Sequence, residues 1–130
     1  MTDCYCVLLR RASRRVTSMY DEVLAPVGIN LAQFSLLRSI RRMQPVSLTD
    51  LGARLELDRS TIGRNTKVLE RMGLVTTSPG ADQREALLQL TEEGQAAVDK
   101  GSPLWDEAQR RIEEKIGDAA GELQTLLRKL

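Results

Sequence analysis

The chain has 130 residues, 42% of them hydrophobic and 28% charged, with 19 basic and 18 acidic side chains, two cysteines and no histidine. That is the length of one domain with a core, and neither a run of about 18 apolar residues nor a charged-apolar-small leader occurs, so a cytoplasmic protein with no membrane partner is expected. Without histidine, and with no nucleophile-base spacing that stands out, neither an enzyme nor a metal or cofactor is expected.

Residues 3–25 read as one long helix. Tyr5, Leu8, Leu9, Ala12, Val16, Met19, Tyr20 and Val23 share a broad apolar face, with Arg10, Arg11, Arg14 and Ser18 opposite. Pro26 and Gly28 end it. A helix this long in so small a protein can reach past its own domain to a partner, which would also give Val7 on the polar side a contact. Cys4 and Cys6 lie in its first turns, about 200° apart around the axis, so an intrahelical disulfide would require unwinding. Each is either a small packing residue or, at the positive end of the helix dipole with Arg10 about two turns on, a candidate redox site.

Asn30-Leu31-Ala32-Gln33 has the form of a capping box and opens a second helix that buries Leu31, Phe34, Leu37 and Ile40. Arg38, Arg41 and Arg42 on it are either solvated or near phosphates, and Pro45 stops it. Ser47 caps a short third helix with Leu48, Leu51 and Leu55 on its inner side, and Glu56-Leu57-Asp58 turns the chain into a fourth. Along the fourth helix Ser60, Arg64, Lys67 and Arg71 fall in a narrow arc, and Ile62, Thr66, Leu69 and Met72 lie on the other side. Asp58 suits its N-cap and Gly73 the left-handed residue after its end.

Strands are expected at 74–77 and 86–90 around a turn-rich loop. Two short helices meeting at a turn, then a hairpin, are the parts of a winged helix-turn-helix, whose second helix enters the DNA major groove. On that reading Arg64 and Lys67 contact bases or phosphates, Ser60 and Thr61 a phosphate or base edge, and Arg59 a phosphate. Asn65 points toward the packed edge. Arg84 on the wing reaches the minor groove or a phosphate, held in shape by Asp82. A solvated cationic face is the plain alternative.

The run Asp58-Arg59-Ser60-Thr61-Ile62, then Leu69-Glu70-Arg71-Met72-Gly73-Leu74-Val75, Asp82-Gln83-Arg84 and Leu90-Thr91-Glu92-Glu93-Gly94 resembles the MarR (multiple antibiotic resistance regulator) family. The resemblance extends to Leu31-Ala32-Gln33-Phe34 and to Pro103-Leu104-Trp105. It implies a mostly helical homodimer, usually a repressor, whose DNA affinity is altered by a small ligand or by cysteine oxidation, in some members at a first-helix cysteine. It also implies an effector pocket bordered by the first, second and post-wing helices. There Arg14, Arg15 or Arg38 could pair with a small aromatic or anionic effector.

Thr91 caps the helix after the wing, with Glu92 and Glu93 in its first turn. At Gly101-Ser102-Pro103 local chemistry favours a break, whereas the resemblance implies one long, kinked helix. Trp105, Ala108, Ile112 and Ile116 form one narrow stripe, and Leu123, Leu126, Leu127 and Leu130 another beyond Gly117. With no third layer in the chain, these predict subunit pairing together with packing on the first helix. Leu104, Trp105, Ile112, Leu123, Leu126 and Leu127 are the expected dimer residues.

The expected organisation is a single domain over 1–130: mostly α with a small β-hairpin, a winged helix-turn-helix at 31–91, and dimerisation helices at 1–30 and 92–130. Residues 1–45 carry seven basic and three acidic side chains, 46–90 six of each, and 91–130 six and nine, that is +4, 0 and −3. Local field rather than net charge must then serve binding to double-stranded DNA. A homodimer would set two reading helices about 34 Å apart on a pseudo-palindromic operator. The rival readings are a winged-helix protein-interaction module and a redox-responsive protein without direct operator binding.

Overall fold

In the computed structural model, which describes residues 2–81 and 85–130, the elements run α1 (Tyr5–Leu24), α2 (Leu31–Met43), β1 (Val46–Ser47), α3 (Leu48–Leu55), α4 (Arg59–Arg71), β2 (Val75–Pro79), β3 (Ala86–Leu90), α5 (Glu92–Ile116) and α6 (Ala120–Arg128). Short 3-10 turns at Ala25–Val27 and Gly117–Ala119 follow α1 and α5. Among the described residues no single helix is long and apolar enough to cross a membrane.

Local chemistry sets most helix starts. The Asn30 side chain accepts the Gln33 backbone N–H at 2.8 Å while the Gln33 side chain accepts that of Asn30 at 2.9 Å, a closed capping box. Asp21 accepts the Leu31 N–H at 2.8 Å and so ties α1 to the same turn. Ser47 and Thr91 cap α3 and α5 through their hydroxyls at 3.1 and 3.0 Å. The first helix starts later than expected, leaving Cys4 in extended backbone as its N-cap residue.

The expected hairpin is part of a three-stranded antiparallel sheet of order β1-β3-β2. Val46 pairs with Leu88 and Ser47 with Leu87, while β2 pairs with β3 from Val75 opposite Leu90 to Pro79 opposite Ala86. A two-residue strand has no periodicity to read, and only pairing across forty residues of sequence makes it a strand. The Gln44 side chain accepts the Leu90 N–H at 2.9 Å beside that pairing. The second strand runs on to Pro79, which is tolerated because β2 is an edge.

One core joins α2, α3, α4, the sheet and α5 around Phe34, Leu37, Ile40, Leu51, Ile62, Leu69 and Val98, all fully buried. The long helix α5 passes unbroken through Gly101-Ser102-Pro103, against the break that local chemistry favoured. Gly101 is there for another reason: a Cβ would lie 2.7 Å from Cε2 of Phe34. It is a notch for the aromatic ring, not a stop signal. Arg41 pairs with Asp99 at 2.9 Å across the same α2–α5 seam, an exposed contact of small energetic weight.

Leu104 and Trp105 pack against their own chain's core. Trp105 stacks on Tyr20 at 6.3 Å between ring centroids, and the Arg38 guanidinium lies 4.6 Å from its indole and 5.7 Å from the Phe34 ring. The outer ends of the helical layer are bare: Tyr5, Leu8, Leu9, Leu123, Leu126 and Leu127 are all exposed, and Ile112 is half-buried. Val7, on the polar side of α1, is exposed as well.

A second close approach fixes the end of α4 to α5. A Cβ on Gly94 would stand 2.0 Å from the Leu74 carbonyl oxygen. That oxygen accepts the Thr91 N–H at 3.1 Å, while the Thr91 hydroxyl donates to the Gly73 carbonyl at 2.6 Å. Gly94→Ala should therefore destabilise the protein by about 2–4 kcal/mol, read as a lower urea midpoint at fixed protein concentration. A midpoint equal to the native one would show that α5 can shift away freely.

Candidate nucleic-acid interface

The corner between α3 and α4 is built on Glu56, in left-handed backbone at φ +54°. Leu57 donates its N–H back to the Gly52 carbonyl at 3.0 Å, and a Cβ on Gly52 would lie 2.9 Å from the Leu57 carbonyl oxygen. Asp58 then starts α4, accepting the Thr61 N–H at 2.7 Å and the Ser60 hydroxyl at 3.0 Å. The Thr61 backbone bond, then the Ser60 and Thr61 side chains, hold the Asp58 carboxyl below the usual aspartate range, with the Arg64 charge adding to them.

The fourth helix is two-sided. Ile62 and Leu69 are fully buried and Thr66 nearly so, its hydroxyl donating to the Ile62 and Gly63 carbonyls at 2.9 and 3.1 Å, so that no buried polar group is left unpaired there. Ser60, Arg64, Lys67 and Arg71 are exposed on the opposite face, Arg59 is exposed at its start and Thr61 is half-buried. The Arg64 guanidinium reaches the Thr61 hydroxyl at 3.5 Å, a long contact to a neutral group.

Two side chains lie otherwise than the helical wheel suggests. Met72, expected on the packed side, is 41% exposed because α4 ends at Arg71 and the chain turns at Gly73, φ +78°. Its sulfur sits 3.9 Å from the Gln33 amide nitrogen. Asn65 is exposed rather than packed, beside a small cleft shared with Asn30, Gln33 and Val68. Arg42 and Arg54 border one cleft with Ser39 and Met43, and sequence reasoning did not pair them. They come from α2 and α3, so no sequence interval signals the pairing.

Beside α4, Thr76, Thr77 and Ser78 of the wing are exposed, and the Gly80 N–H donates to the Glu85 carbonyl at 2.7 Å across the loop's base. Asp82 and Arg84 lie outside the described residues. Arg38 and Arg41 are taken up by the aromatic stack and by Asp99, while Arg14 and Arg15 are exposed on α1. Cys4 and Cys6 are both free and exposed, which removes packing within this chain as their role.

A family model described as the MarR family matches residues 29–86. The M. tuberculosis transcriptional regulator MosR, solved in complex with DNA, is 35% identical over 97% of this chain and 92% of that one, with a TM-score of 0.85. This chain belongs to the MarR family. Another member of the same fold, the transcriptional repressor CouR bound to a 23-mer DNA duplex, is 26% identical over 97% of this chain and 91% of that one, with a TM-score of 0.88. YwoH of Bacillus subtilis, an HTH-type transcriptional regulator, is 30% identical over 87 residues, or 67% of this chain and 64% of that relative. The match thus spans slightly less than two thirds of that relative's length.

The MarR-type reading helix depends on its cap, and the cap titrates. Asp58 binds its proton less tightly folded than unfolded, so the unfolded chain holds more protons in the window between the two values and stability rises with pH there. The contribution is complete above the unfolded value of about 3.9 and is lost as pH falls through the lower folded value. Asp58→Asn keeps a capping oxygen but not the charge. Melting temperatures taken from pH 7 downward should show a shallower acid-side loss in the variant; identical slopes would assign that loss to other carboxylates.

Proposed function

We propose that this MarR-family chain is a transcriptional regulator, acting as a repressor, that binds double-stranded operator DNA as a homodimer. The observation that carries the reading is the two-sided α4, with Ile62, Thr66 and Leu69 buried and Ser60, Arg64, Lys67 and Arg71 outward. The likeness to MosR and CouR, each solved with DNA, supports it. Arg64 and Lys67 meet bases or phosphates, Ser60 and Thr61 a phosphate or base edge, and Arg59 a phosphate. Arg84 contacts DNA from the wing, with Asp82 holding its shape.

Residues 31–91 form the reading part of this single domain, and 1–30 with 92–130 pair it with a second copy. The exposed Tyr5, Leu8, Leu9, Leu123, Leu126 and Leu127 support pairing, because large apolar side chains left in water gain by being covered. Leu104, Trp105 and Ile112 stand behind them as the layer that joins core to interface. Two copies set their reading helices about 34 Å apart on a pseudo-palindrome, in the cytoplasm. Release comes from a small aromatic or anionic effector, or from a peroxide that oxidises Cys4 or Cys6 to the sulfenic acid with loss of water. The exposure of both thiols supports the second route.

Binding of the reduced protein to DNA from its own promoter, with random DNA as competitor, tests the reading. Specific binding is expected. Its absence at low salt would favour a protein partner for the same face. Arg64→Ala should weaken operator binding about 10- to 100-fold and random-DNA binding much less; equal losses would make Arg64 a phosphate contact. Peroxide should lower operator affinity and reductant restore it, with the response lost in Cys4→Ser or Cys6→Ser. A native response surviving in both single variants and in the double variant would remove these cysteines from the mechanism.

A further inference from the structure

Seven of the nine glycines of this chain fall into two groups. Gly28, Gly73 and Gly117 sit at φ +81°, +78° and +74°, where other residues are strained. Gly52, Gly80, Gly94 and Gly101 face atoms of the chain at 2.9, 2.5, 2.0 and 2.7 Å from where a Cβ would stand. Each of these seven has a reason inside the fold.

Gly63 has none. It lies inside α4, in helical backbone, and a Cβ there would meet nothing within 4 Å. Glycine is the poorest helix former after proline, and alanine the best, so at an open helical position the chain gains nothing by leaving the side chain out. The space is kept clear for something outside the chain. Gly63 stands three residues after Ser60 and four before Lys67, about one turn from each and about 40–60° round from them toward the packed side, at the margin between the exposed face and buried Ile62 and Thr66. It therefore borders the exposed face of Ser60, Arg64 and Lys67. Gly121, in α6, is the other glycine with open space around it and no left-handed φ.

We propose that Gly63 is a clearance point, at which the wall of the DNA major groove comes into van der Waals contact with the backbone of α4. The proposal rests on the DNA-binding reading above. The absent side chain lets the helix seat deeper by about the thickness of a methyl group, bringing Arg64 and Lys67 within reach of base edges. Contact of this kind is steric, so any side chain, however apolar, holds the helix off the groove floor.

Gly63→Ala and Gly63→Leu test it, because both replacements are good helix formers and a Cβ at this position meets no atom of the chain within 4 Å. Melting temperature should stay level or rise by about 2–5 °C in Gly63→Ala. Operator affinity should fall about tenfold in Gly63→Ala and further in Gly63→Leu, measured by fluorescence anisotropy on the native operator and on random duplex. A smaller loss on random duplex places the contact in the specific seating, and an equal loss places it on the sugar–phosphate wall; either supports clearance. Operator affinity within twofold of native in both variants overturns the proposal, as does a lowered melting temperature in Gly63→Ala. If the native protein binds no DNA, the functional reading itself falls; if native and variants bind alike, only the role of Gly63 does.

Discussion

The backbone of Leu74 lies so close to the backbone of Gly94 that no side chain fits between them, and the position of α4 against α5 hangs on that contact. Leu74 follows α4 directly, and Gly94 stands in the first turn of α5. Thr91 closes the junction from both sides, its N–H on the Leu74 carbonyl and its hydroxyl on that of Gly73, while the same hydroxyl caps α5. Main chain clamped to main chain has little freedom to slide, because its hydrogen bonds fix register as well as distance. The orientation of α4 is therefore set relative to the long helix with no flexible linker between. A second anchor, Phe34 in the notch at Gly101, fixes α2 to the same helix two turns on.

This geometry sorts the cations. Net charge is only +1, so which arginines remain available matters more than how many there are. Arg38 lies over the Trp105 and Phe34 rings, Arg41 is paired with Asp99, and Arg110 and Arg111 share Glu107, with Arg110 also on Glu114. Those side chains hold helices together or decorate α5. The cations of α4 point away from the core on a helix whose buried side is closed, and Arg64 meets a neutral hydroxyl at long range. A helix held this firmly presents its outward groups from a fixed backbone.

The apolar surface is as unevenly distributed as the charge. Near the α2–α5 seam, aromatic and aliphatic groups are buried, whereas the start of α1 and all of α6 leave large side chains in water. The same helix α1 thus changes character along its length: Tyr20 and Leu24 are core, and Tyr5 is 73% exposed. Trp105 marks the boundary between the two regimes, stacked on Tyr20 within the chain.

The helices, their caps and the two faces of α4 were legible in residue order, because they depend on side-chain spacing and on hydrogen bonds spanning three or four residues. The capping box at Asn30, the caps at Ser47, Asp58 and Thr91 and the left-handed Gly73 are all local in this sense. The wing motif with Leu-Thr-x-x-Gly carried the family before any reason for its glycine could be given. Contacts between distant segments set what spacing could not: β1 pairs with β3, Gly101 seats a ring instead of ending a helix, and Arg38 serves an aromatic stack. Each of these depends on an atom contributed from a distant part of the chain. A glycine reads the same in sequence whether it bends the backbone, admits a neighbour or leaves room for another molecule, and only the surrounding atoms tell the three apart.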